Sequence, residues 1–308
     1  MTLATTSRRL EHVISSEQFD RECLDDIFGR ADGLAGHRDN RLAGRIMATL
    51  FYEPSTRTRL SFESAMLRLG GSVVGTEAAR EFSSVIKGET LEDTIRMVSA
   101  YADVIVLRHD QKGAAARAAA VASVPVVNAG DGPGEHPTRA LLDLYTIRCE
   151  RGTADGVHIA FCGDLRYGRT VHSLAQLLSL HPGVRMTFVA PEVVQVGADL
   201  QARMAAAGVP FRLTERLDDV IDSVDVVYQT RVQKERFTDP ADFEAARRAI
   251  RIDAAVMRAL PERAIVMHPL PRVDEIATEV DADPRAAYFR QARNGVVIRM
   301  ALLDLLLG

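Results

Sequence analysis

The sequence predicts an α/β fold of two doubly wound parallel-sheet domains, with an interdomain cleft as the candidate active site. A length of 308 residues is too great for one ordinary core and fits two domains of roughly 150 residues each. Apolar strands alternate with helical segments through the first half, and the alternation begins again after Gly152, with a break near residues 135–152. Polar and Arg-rich segments follow several strands, and the carboxyl ends of parallel strands meet at one edge of a sheet.

The composition is that of an ordinary globular protein, with 47% apolar and 26% charged residues. A net charge of −4 without a basic block argues against nucleic acid and anionic membranes as partners. No apolar run approaches the roughly 20 residues that span a bilayer, and the segment MTLATTSRRLEHV lacks the apolar core of a secretory signal. Cys23, Cys149 and Cys162 show neither C-x-x-C nor histidine spacing, so the sequence predicts no disulfide and no structural metal. Without a secretory signal, the chain is expected to be cytoplasmic.

The first half opens with an amphipathic helix and a buried strand. Residues 17–31 (EQFDRECLDDIFGRA) repeat apolar side chains at helical spacing, and we assign them no chemistry. The apolar run IMATLF, residues 46–51, predicts a buried strand of a parallel sheet. Pro54 ends that strand, because proline removes a backbone donor and restricts the residue before it. Ser55 or Thr56 can then cap a helix that runs to the next pair of glycines.

The start of this helix, residues 55–59 (STRTR), has the chemistry of a phosphate site. Free backbone N–H groups and the helix dipole favour an anion at the N-terminus of a helix. Three hydroxyls and two guanidiniums in this turn supply the donors that a phosphate group requires. A capped helix with solvated arginines is the alternative, but five successive donor side chains after a strand-ending proline favour the phosphate site.

The next segments continue the alternation of strands and helices. A short strand is expected near residues 72–74. Residues 76–90 have no clean period, so they form either a binding loop or an ordinary surface loop. A helix over residues 91–102 leads to the strand DVIVLRH, whose end places Arg108 and His109 at the edge where ligands collect.

His136 stands where a strand, a glycine-rich turn and a helix meet. The strand PVVN, residues 125–128, runs into the turn 129–135, and Pro137 fits the first turn of a helix that ends at Gly152. A lone histidine is usually structural, but one at a helix N-terminus on the ligand edge is a candidate catalytic donor.

The second half repeats the pattern and places three polar clusters after its strands. The expected strands are VHIAFCG, VRMTFVA, PFRL, VDVVYQ and AIVM, and the clusters occupy residues 163–170, 230–236 and 268–272. Because parallel strands end at one edge, these clusters should converge, with Arg169, Arg231 and Arg272 on one wall of the cleft. Such a set of cations favours anionic ligands.

The C-terminal segment from about Pro284 predicts a helix pair. The apolar face of its last helix, which should pack on a core, consists of Val296, Val297, Met300, Leu303 and Leu307.

The segment GDLRYGRT, residues 163–170, suggests a rival function. It is one residue from the P-loop pattern G-x-x-x-x-G-K-[ST], with Arg169 in the place of the lysine, and it lies between a strand and a helix. The rival is a nucleotide triphosphatase. We favour the anion-binding cleft, because the P-loop lysine acts as a compact point charge and no strand outside this motif ends in a suitable second magnesium carboxylate.

The segment FYEPSTRTRLSFESAMLRLGG, residues 51–71, closely resembles the carbamoyl-phosphate loop of the aspartate/ornithine carbamoyltransferase family. Further resemblances follow in family order over nearly the whole chain, in SSVIKGETLEDT, VIVLRH, VVNAGDG, HPTRALLDLYTI, GDLRYGRTVHSL, TRVQKER and HPLPRVDEIATEV. The chain resembles the aspartate branch, because Arg231 and Gln233 suit a carboxylate and the cysteine-containing loop of the ornithine branch is missing at HPLPR.

The resemblance implies transfer of the carbamoyl group of carbamoyl phosphate to the amine of L-aspartate, in de novo pyrimidine biosynthesis. It implies a carbamoyl-phosphate-binding domain over residues 1–137 plus 295–308 and an aspartate-binding domain over residues 138–294. No cofactor or metal is needed, because positioning and electrostatics drive the reaction and the leaving phosphate takes the proton. A homotrimer with shared active sites is implied, and a regulatory chain or another pyrimidine enzyme is left open as a partner. A silent relative is a further alternative, which binding of carbamoyl phosphate or ATP, with or without turnover, would separate.

The family also implies roles for individual residues on the donor side. The phosphate of carbamoyl phosphate would be held by Ser55, Thr56, Arg57 and Thr58. Arg108 would reach the carbonyl, and His136 would polarise it together with Thr58 and Arg108. Carbonyls of Pro269 and Leu270 would accept from the carbamoyl and substrate amines, in a loop whose Leu270–Pro271 bond is expected to be cis. The implied catalytic residues are Arg57, Thr58, Lys87, Arg108 and His136.

On the acceptor side, Arg169 would bind the α-carboxylate of aspartate, and Arg231 with Gln233 would bind its side-chain carboxylate. Ser83 and Lys87 resemble residues that a neighbouring subunit donates to the shared site. Ser83 would contact carbamoyl phosphate, and Lys87 would contact both substrates. Leu270 completes the implied aspartate site.

Two positions depart from the family pattern, which has glutamine on either side of the His-Pro-Thr motif. Here Glu135 precedes His136, and Arg139 follows Thr138 where the glutamine amide would contact the carbamoyl group. Arginine has only donors and fits a carbamoyl NH2 poorly. Either Arg139 turns away, paired with Glu135 or Glu53, or it weakens the binding of carbamoyl phosphate. A tolerated variation with full activity, a different amino-acid acceptor and a weakened homologue are the open alternatives.

Overall fold

The computed structural model describes residues 10–77, 88–232, 239, 243–244 and 250–308. The chain divides into two compact units, one of Met1–Leu141 with Gly295–Gly308 and one of Leu142–Asn294. Within the described ranges, no helix combines the length and the apolarity that a membrane crossing requires.

The first unit is built on a four-stranded parallel sheet. Its strands are β1 (Ile46–Phe51), β2 (Ser72–Glu77), β3 (Val104–His109) and β4 (Val126–Asp131). Its helices are α1 (Arg21–Leu34), α2 (Thr56–Arg68), α3 (Leu91–Ser99), α4 (Ala114–Ala119) and the first residues of α5 (Pro137–Arg151). A short 3-10 turn, Ser16–Gln18, precedes α1.

The strands of this sheet lie in the order β2–β1–β3–β4, with every pair parallel. As the apolar run predicts, every residue of β1 after Ile46 is buried. The register aligns Phe51 with Arg108 and His109 with Asp131, so β1, β3 and β4 end side by side. The segments that follow these three strands therefore share one edge of the sheet.

The chain before the 3-10 turn lies along the outer side of β4. Val13 bridges Val127 in parallel, the Val13 N–H donates to the Val126 carbonyl (2.9 Å), and the Asn128 N–H donates to the Val13 carbonyl (2.7 Å). The Asn128 side chain also donates to the carbonyl of Ile14 (2.9 Å). This segment covers the edge of the sheet that β4 would otherwise expose.

The second unit is built on a five-stranded parallel sheet. Its strands are β5 (His158–Cys162), β6 (Arg185–Val189), β7 (Phe211–Thr214), β8 (Val226–Gln229) and β9 (Ile265–Met267). Its helices are the rest of α5, then α6 (Arg169–Leu178), α7 (Ala198–Ala206), α8 (Ala254–Ala259) and the start of α9 (Tyr288–Leu307). The order β7–β6–β5–β8–β9 places the first strand in the middle. The predicted α/β class with two parallel sheets is confirmed.

The prediction of a helix pair at the C-terminus is wrong, because a single helix, α9, runs from Tyr288 to Leu307. The residues before it are extended alongside β9: Val266 bridges Ala286, and the Ala287 N–H donates to the Val266 carbonyl (2.8 Å). The buried face of α9 also differs in part from the expected one. Met300 and Leu303 are buried as expected, whereas Val296, Val297 and Leu307 are half-buried and Ile298, Leu302 and Leu306 are buried instead.

Candidate active site

In the first unit, a ligand crevice lies where the order of the strands reverses: the chain adds β2 on one side of β1 and then β3 on the other. β1 has β2 on one side and β3 on the other, so the segments after β1 and β3 leave a crevice between them at the carboxyl edge. The Tyr52 N–H donates to the Arg108 carbonyl (2.9 Å), which holds the chain after β1 against the end of β3. Residues after these strands are thus the first candidates for ligand contact.

The hydroxyl-rich turn forms the start of α2, with Ser55 at the N-cap and Thr56, Arg57 and Thr58 in the first turn. The first turn contains no acidic residue, so its backbone N–H groups and positive dipole end are not neutralised from within the helix. Arg59 differs from the expectation of a second phosphate-binding guanidinium. Its Nε lies 2.7 Å from Glu63 Oε1, one helical turn further on, and the carboxylate of Glu63 directs it along α2.

Arg108 is the penultimate residue of β3 and is largely enclosed, with 13% of its side chain exposed. Its Nη2 lies 3.2 Å from Glu53 Oε2, and its Nη1 donates to the Ala129 carbonyl (3.2 Å). Burial lowers the pKa of this guanidinium, and the charge of Glu53 offsets only part of that effect. A desolvated guanidinium that is only partly neutralised interacts strongly with an incoming anion.

His136 is buried, with 6% exposed, at the end of the turn between β4 and α5. As predicted, α5 begins at Pro137. The His136 carbonyl accepts the N–H groups of Arg139 (2.9 Å) and Ala140 (3.1 Å), which fixes the backbone of His136 to the first turn of the helix. The ring is therefore carried by a rigid helix start on the same sheet edge as α2 and Arg108.

The two positions that depart from the family pattern have separate surroundings. The carboxylate of Glu135 accepts hydrogen bonds from Ser15 and Ser16, and that of Glu53 contacts Arg108. Arg139 is half-buried and close enough to act on the charge of Arg57. Desolvation, followed by the positive charge of Arg139, lowers the pKa of the Arg57 guanidinium. The departure thus adds a further cation to the electrostatic field at the start of α2.

In the second unit, the crevice lies between the segments that follow β5 and β8. Thr230 ties the two together: its N–H and its hydroxyl both donate to the Cys162 carbonyl (2.8 and 2.9 Å). Gly163 is required at this crossing, because a Cβ there would lie 2.3 Å from the Thr230 carbonyl oxygen and its φ is +104°. Arg169 begins α6 and Arg231 follows Thr230, so both arginines extend this one edge.

The segment after β9 contains the predicted cis bond between Leu270 and Pro271, and Leu270 has a left-handed backbone with φ +47°. The Leu270 N–H donates to His268 Nδ1 (2.8 Å), and His268 Nε2 lies 2.8 Å from Glu275 Oε1. Because Nδ1 accepts, the proton of the neutral ring is on Nε2 and is donated to Glu275. The other oxygen of Glu275 accepts the N–H groups of Val273 and Asp274 (both 3.1 Å), which closes the loop on itself.

A buried row of polar groups supports this loop from below. The His268 N–H donates to Gln291 Oε1 (2.9 Å), and Gln291 Nε2 donates to Asp143 Oδ1 (2.7 Å). The Tyr228 hydroxyl donates to the other oxygen of Asp143 (2.6 Å). All four side chains are at most 1% exposed, so each hydrogen bond is shielded from water. Sequence reasoning did not identify this row, nor Glu275.

Arg272 does not take the anion-binding position that the sequence predicts. Its Nη2 donates to Asp281 Oδ2 (2.5 Å), its Nη1 donates to the Tyr288 hydroxyl (3.1 Å), and its guanidinium lies 5.3 Å from the Tyr288 ring centroid. The Arg272 hydrogen bond lowers the pKa of Asp281, as expected for a carboxylate held in an ion pair. Arg272 therefore fastens the loop to the start of α9.

The structure brings the predicted residues together at two sheet edges, one in each unit. Ser55, Thr56, Arg57, Thr58, Arg108, His136 and Arg139 lie at the first edge, and Arg169, Arg231, Pro269 and Leu270 lie at the second. The predictions for Ser83, Lys87 and Gln233 fall outside the described residues. Within the described parts, no group of three or more His, Cys, Asp or Glu side chains is arranged to hold a metal ion.

Two family models match the chain, one for each half. The model for the carbamoyl-P binding domain of aspartate/ornithine carbamoyltransferase matches residues 11–149, and the model for the Asp/Orn binding domain matches residues 155–306. The chain belongs to the aspartate/ornithine carbamoyltransferase family.

Several relatives and solved structures that the chain resembles over nearly its whole length are aspartate carbamoyltransferases. The chain is 55% identical to the chloroplastic aspartate carbamoyltransferase of Oryza sativa, over 98% of this chain and 86% of the relative. It is 50% identical to the aspartate carbamoyltransferase catalytic subunit of Methanocella arvoryzae, over 97% of each chain. A crystal structure of the Trypanosoma cruzi enzyme with N-(phosphonacetyl)-L-aspartic acid superposes with a TM-score of 0.91 at 49% identity, covering 97% of this chain and 96% of that one. A second structure from that organism holds carbamoyl phosphate and aspartate, with a TM-score of 0.89 at 49% identity and 97% of each chain covered.

The predicted cytoplasmic location is wrong in the light of these relatives. The rice protein and the relative from Arabidopsis thaliana, 56% identical over 97% of this chain and 78% of the relative, are both named as chloroplastic. The prediction rested on the missing apolar core of a secretory signal. Plastid transit peptides are Ser- and Arg-rich rather than apolar, so that observation has no bearing on them.

Proposed function

We propose that this protein transfers the carbamoyl group of carbamoyl phosphate to the amine of L-aspartate, giving N-carbamoyl-L-aspartate and phosphate. The observation that carries the proposal is the edge of the first unit, where the acid-free start of α2 adjoins the desolvated guanidinium of Arg108. A helix N-terminus, hydroxyls and guanidiniums are the groups that hold a phosphate ester. The product belongs to de novo pyrimidine biosynthesis.

The donor side follows from this edge. Ser55, Thr56, Arg57 and Thr58 hold the phosphate, and the side chains of Arg108 and His136 face the carbonyl. A rigid helix start for His136 and an enclosed position for Arg108 support these roles, because a stabilised oxyanion requires donors that need no rearrangement. Ser83 and Lys87 complete the site from a neighbouring copy of the chain.

The acceptor side follows from the edge of the second unit. Arg169 binds the α-carboxylate of aspartate, and Arg231 with Gln233 binds its side-chain carboxylate, since arginine matches carboxylate geometry with two parallel hydrogen bonds. The carbonyls of Pro269 and Leu270 accept from the amines, and the hydrogen bonds of His268 and Glu275 hold the peptide group between these two residues in place. The two units correspond to a carbamoyl-phosphate-binding and an aspartate-binding domain.

The chemistry then needs no cofactor. The uncharged amine of aspartate attacks the carbonyl carbon, and the carbonyl oxygen gains negative charge beside Arg108, Thr58 and His136. The bond from carbon to the phosphate oxygen breaks, and the departing phosphate takes the proton that the amine loses. Holding both substrates in line removes most of the entropic barrier.

A homotrimer with shared active sites is supported by exposed apolar side chains on α2 and β2. Leu60 is 56% exposed, Leu67 62% and Val74 49%, although a lone chain gains nothing from leaving three large apolar groups in water. The phosphate-binding turn is the start of α2, so a second copy of the chain that packed on α2 and β2 would lie close to the site. Sedimentation of the purified chain at three times its 33.7 kDa mass is expected. A monomer at micromolar concentration would contradict the trimer.

An end-point assay tests the function. Purified protein is incubated with carbamoyl phosphate and either aspartate or ornithine, and the ureido product is measured. We expect product with aspartate alone. No product with either amino acid, together with tight binding of N-(phosphonacetyl)-L-aspartic acid, would favour a different acceptor or a silent relative. Loss of both turnover and binding would mean that Arg139 has changed the site and that the chain shares only the fold of the family.

Arg139→Gln is expected to lower KM for carbamoyl phosphate by a factor of about five, the scale of one hydrogen bond of ~1 kcal/mol. An amide oxygen can accept from the carbamoyl NH2, which arginine cannot. The same change removes a positive charge near Arg57, so inhibition by inorganic phosphate should weaken. Unchanged KM and unchanged phosphate inhibition would show that Arg139 faces away from the donor.

A further inference from the structure

Glu135 joins two segments that are far apart in the chain. Its Oε1 accepts the Ser15 hydroxyl (2.5 Å), and its Oε2 accepts the Ser16 N–H (2.7 Å) and the Ser16 hydroxyl. All three donors belong to two adjacent serines, and together they use both oxygens of the carboxylate. We call Glu135 with Ser15 and Ser16 the serine clasp.

The serine half of the clasp is firmly fixed. Ser16 is 3% exposed, and the chain just before it is hydrogen-bonded along β4 through Val13 and Asn128. Ser15 begins the 3-10 turn with a capping box, in which the Gln18 side chain accepts the Ser15 N–H (2.9 Å). The donors therefore present a preformed site and lose little conformational entropy on holding the carboxylate.

The other half of the clasp lies on a turn that needs such support. Residues 130–134 (GDGPG) contain three glycines, and glycine loses more backbone freedom on ordering than any other residue. Gly132 has φ +55°, and a Cβ there would lie 2.0 Å from the Asp110 carbonyl oxygen, so the turn cannot be stiffened by a larger residue. Asp131 links the beginning of the turn to its end, accepting the N–H groups of Gly113 (2.8 Å) and Glu135 (2.7 Å). The serine clasp fixes this end to the segment that lies along β4.

The residue after Glu135 is His136, the proposed donor to the carbamoyl carbonyl. We propose that Glu135 is a positioning residue for this reaction: the serine clasp fixes the end of the glycine-rich turn and thereby the place of the His136 ring. The inference rests on the proposed function for the part that His136 plays in turnover. The clasp itself acts on the turn whether or not the substrate is carbamoyl phosphate.

The clasp depends on the polar atoms at the end of the side chain rather than on its size. Glu135→Leu keeps a similar volume and removes both acceptor oxygens. Glu135→Gln should keep the clasp, because its amide oxygen can accept the two Ser16 donors while its NH2 group donates to the hydroxyl oxygen of Ser15. Ser16→Ala removes one donor and leaves Glu135 intact, which gives an independent way to loosen the same contact.

The test compares Glu135→Leu, Ser16→Ala and their double variant with two controls, the conservative Glu135→Gln and Thr214→Val. Thr214 donates its hydroxyl to the carboxylate of Asp219 in the second unit, so this control loses a bond of the same kind away from the turn. Active sites are counted by titration with N-(phosphonacetyl)-L-aspartic acid. We expect kcat per site to fall roughly 10- to 100-fold in each single clasp variant, the scale of a misplaced catalytic group. The double variant should be little worse than the single ones, KM for aspartate should be nearly unchanged, and both controls should match the parent.

A second readout does not depend on turnover. Hydrogen exchange of the backbone amides of residues 131–136 should be faster in both clasp variants and unchanged in Thr214→Val, since a freed turn opens locally. An exchange rate equal to the parent's overturns the proposal, even for a chain that turns over no substrate. A lower melting temperature with unchanged kcat per site also overturns it, because the serine clasp would then stabilise the fold without placing His136. Failure of the proposed function alone would leave all chains inactive and the exchange difference intact.

Discussion

Arg57→Ala is expected to lower kcat/KM for carbamoyl phosphate by about 10³-fold, the cost of removing one preorganised cationic donor from developing negative charge. Arg57 lies in the first turn of α2, where the dipole and the backbone N–H groups already favour an anion. In the proposed reaction, the guanidinium makes a bidentate contact with the phosphate as negative charge moves onto that leaving group. Most of the loss should appear in kcat, because the interaction strengthens as the carbon–oxygen bond breaks.

Arg59→Ala is the matched control, two residues further along the same helix. Its guanidinium lies against Glu63, so we expect kcat/KM to change by no more than a few-fold. Steady-state kinetics on both variants, with the melting temperature as a check on folding, gives the comparison. Equal losses in the two variants would mean that net charge, rather than the position of Arg57, governs donor binding.

Glu275→Ala is expected to lower the free energy of unfolding by about 3 kcal/mol and to abolish most activity, because it leaves buried donors without an acceptor. The lost acceptor serves His268 Nε2 and the N–H groups of Val273 and Asp274. Without it, Leu270 loses the ordered ring that holds its own N–H. Urea unfolding of Glu275→Ala measures the stability term. Asp218→Ala, which removes a largely exposed partner of Arg216, should change stability little.

The pH dependence of the same contact has a definite sign. Burial would raise the pKa of Glu275, but the hydrogen bonds from His268 and the backbone outweigh it, and the pKa lies below its usual value. A carboxylate with a lowered folded pKa stabilises the protein above its unfolded pKa and loses that contribution as the pH falls through the folded pKa. The stability difference between the parent and Glu275→Gln should therefore be full at neutral pH and shrink in acid. A difference that grows in acid would contradict the charged form of Glu275.

The features that the sequence predicted correctly have local causes. The end of β1 and the start of α2 lie where the apolar run and Pro54 place them, all within ten residues, although the Ser55 side chain makes no capping hydrogen bond. The start of α5 follows from Pro137 in the same way. The convergence of polar segments at a sheet edge needs only the knowledge that the strands are parallel.

The features that it missed depend on partners far away in the chain. The C-terminal helix pair failed because the residues before α9 bond to β9 instead of forming a helix. Arg59 and Arg272 are side chains of the kind that bind anions, but each forms an ion pair within the chain, with Glu63 and Asp281 respectively. The Ser15 contact spans 120 residues, and no periodicity or spacing reports on it. The capping box of Ser15 and Gln18 can be recognised in the sequence, but it predicts only the 3-10 turn and not the contact with Glu135.

The proposed main-chain recognition at Pro269 and Leu270 has a consequence for how acceptor choice can change. The Leu270 N–H, which donates to His268, belongs to the same peptide group as the Pro269 carbonyl, so that carbonyl keeps its place whatever side chain its residue carries. Substitutions at these two positions can alter the shape of the loop, but they cannot supply or withdraw the acceptor itself. A change to a different acceptor amino acid would have to begin at Arg231 or its neighbours. There the proposed contacts are made by side chains, so a single substitution replaces the contacting group.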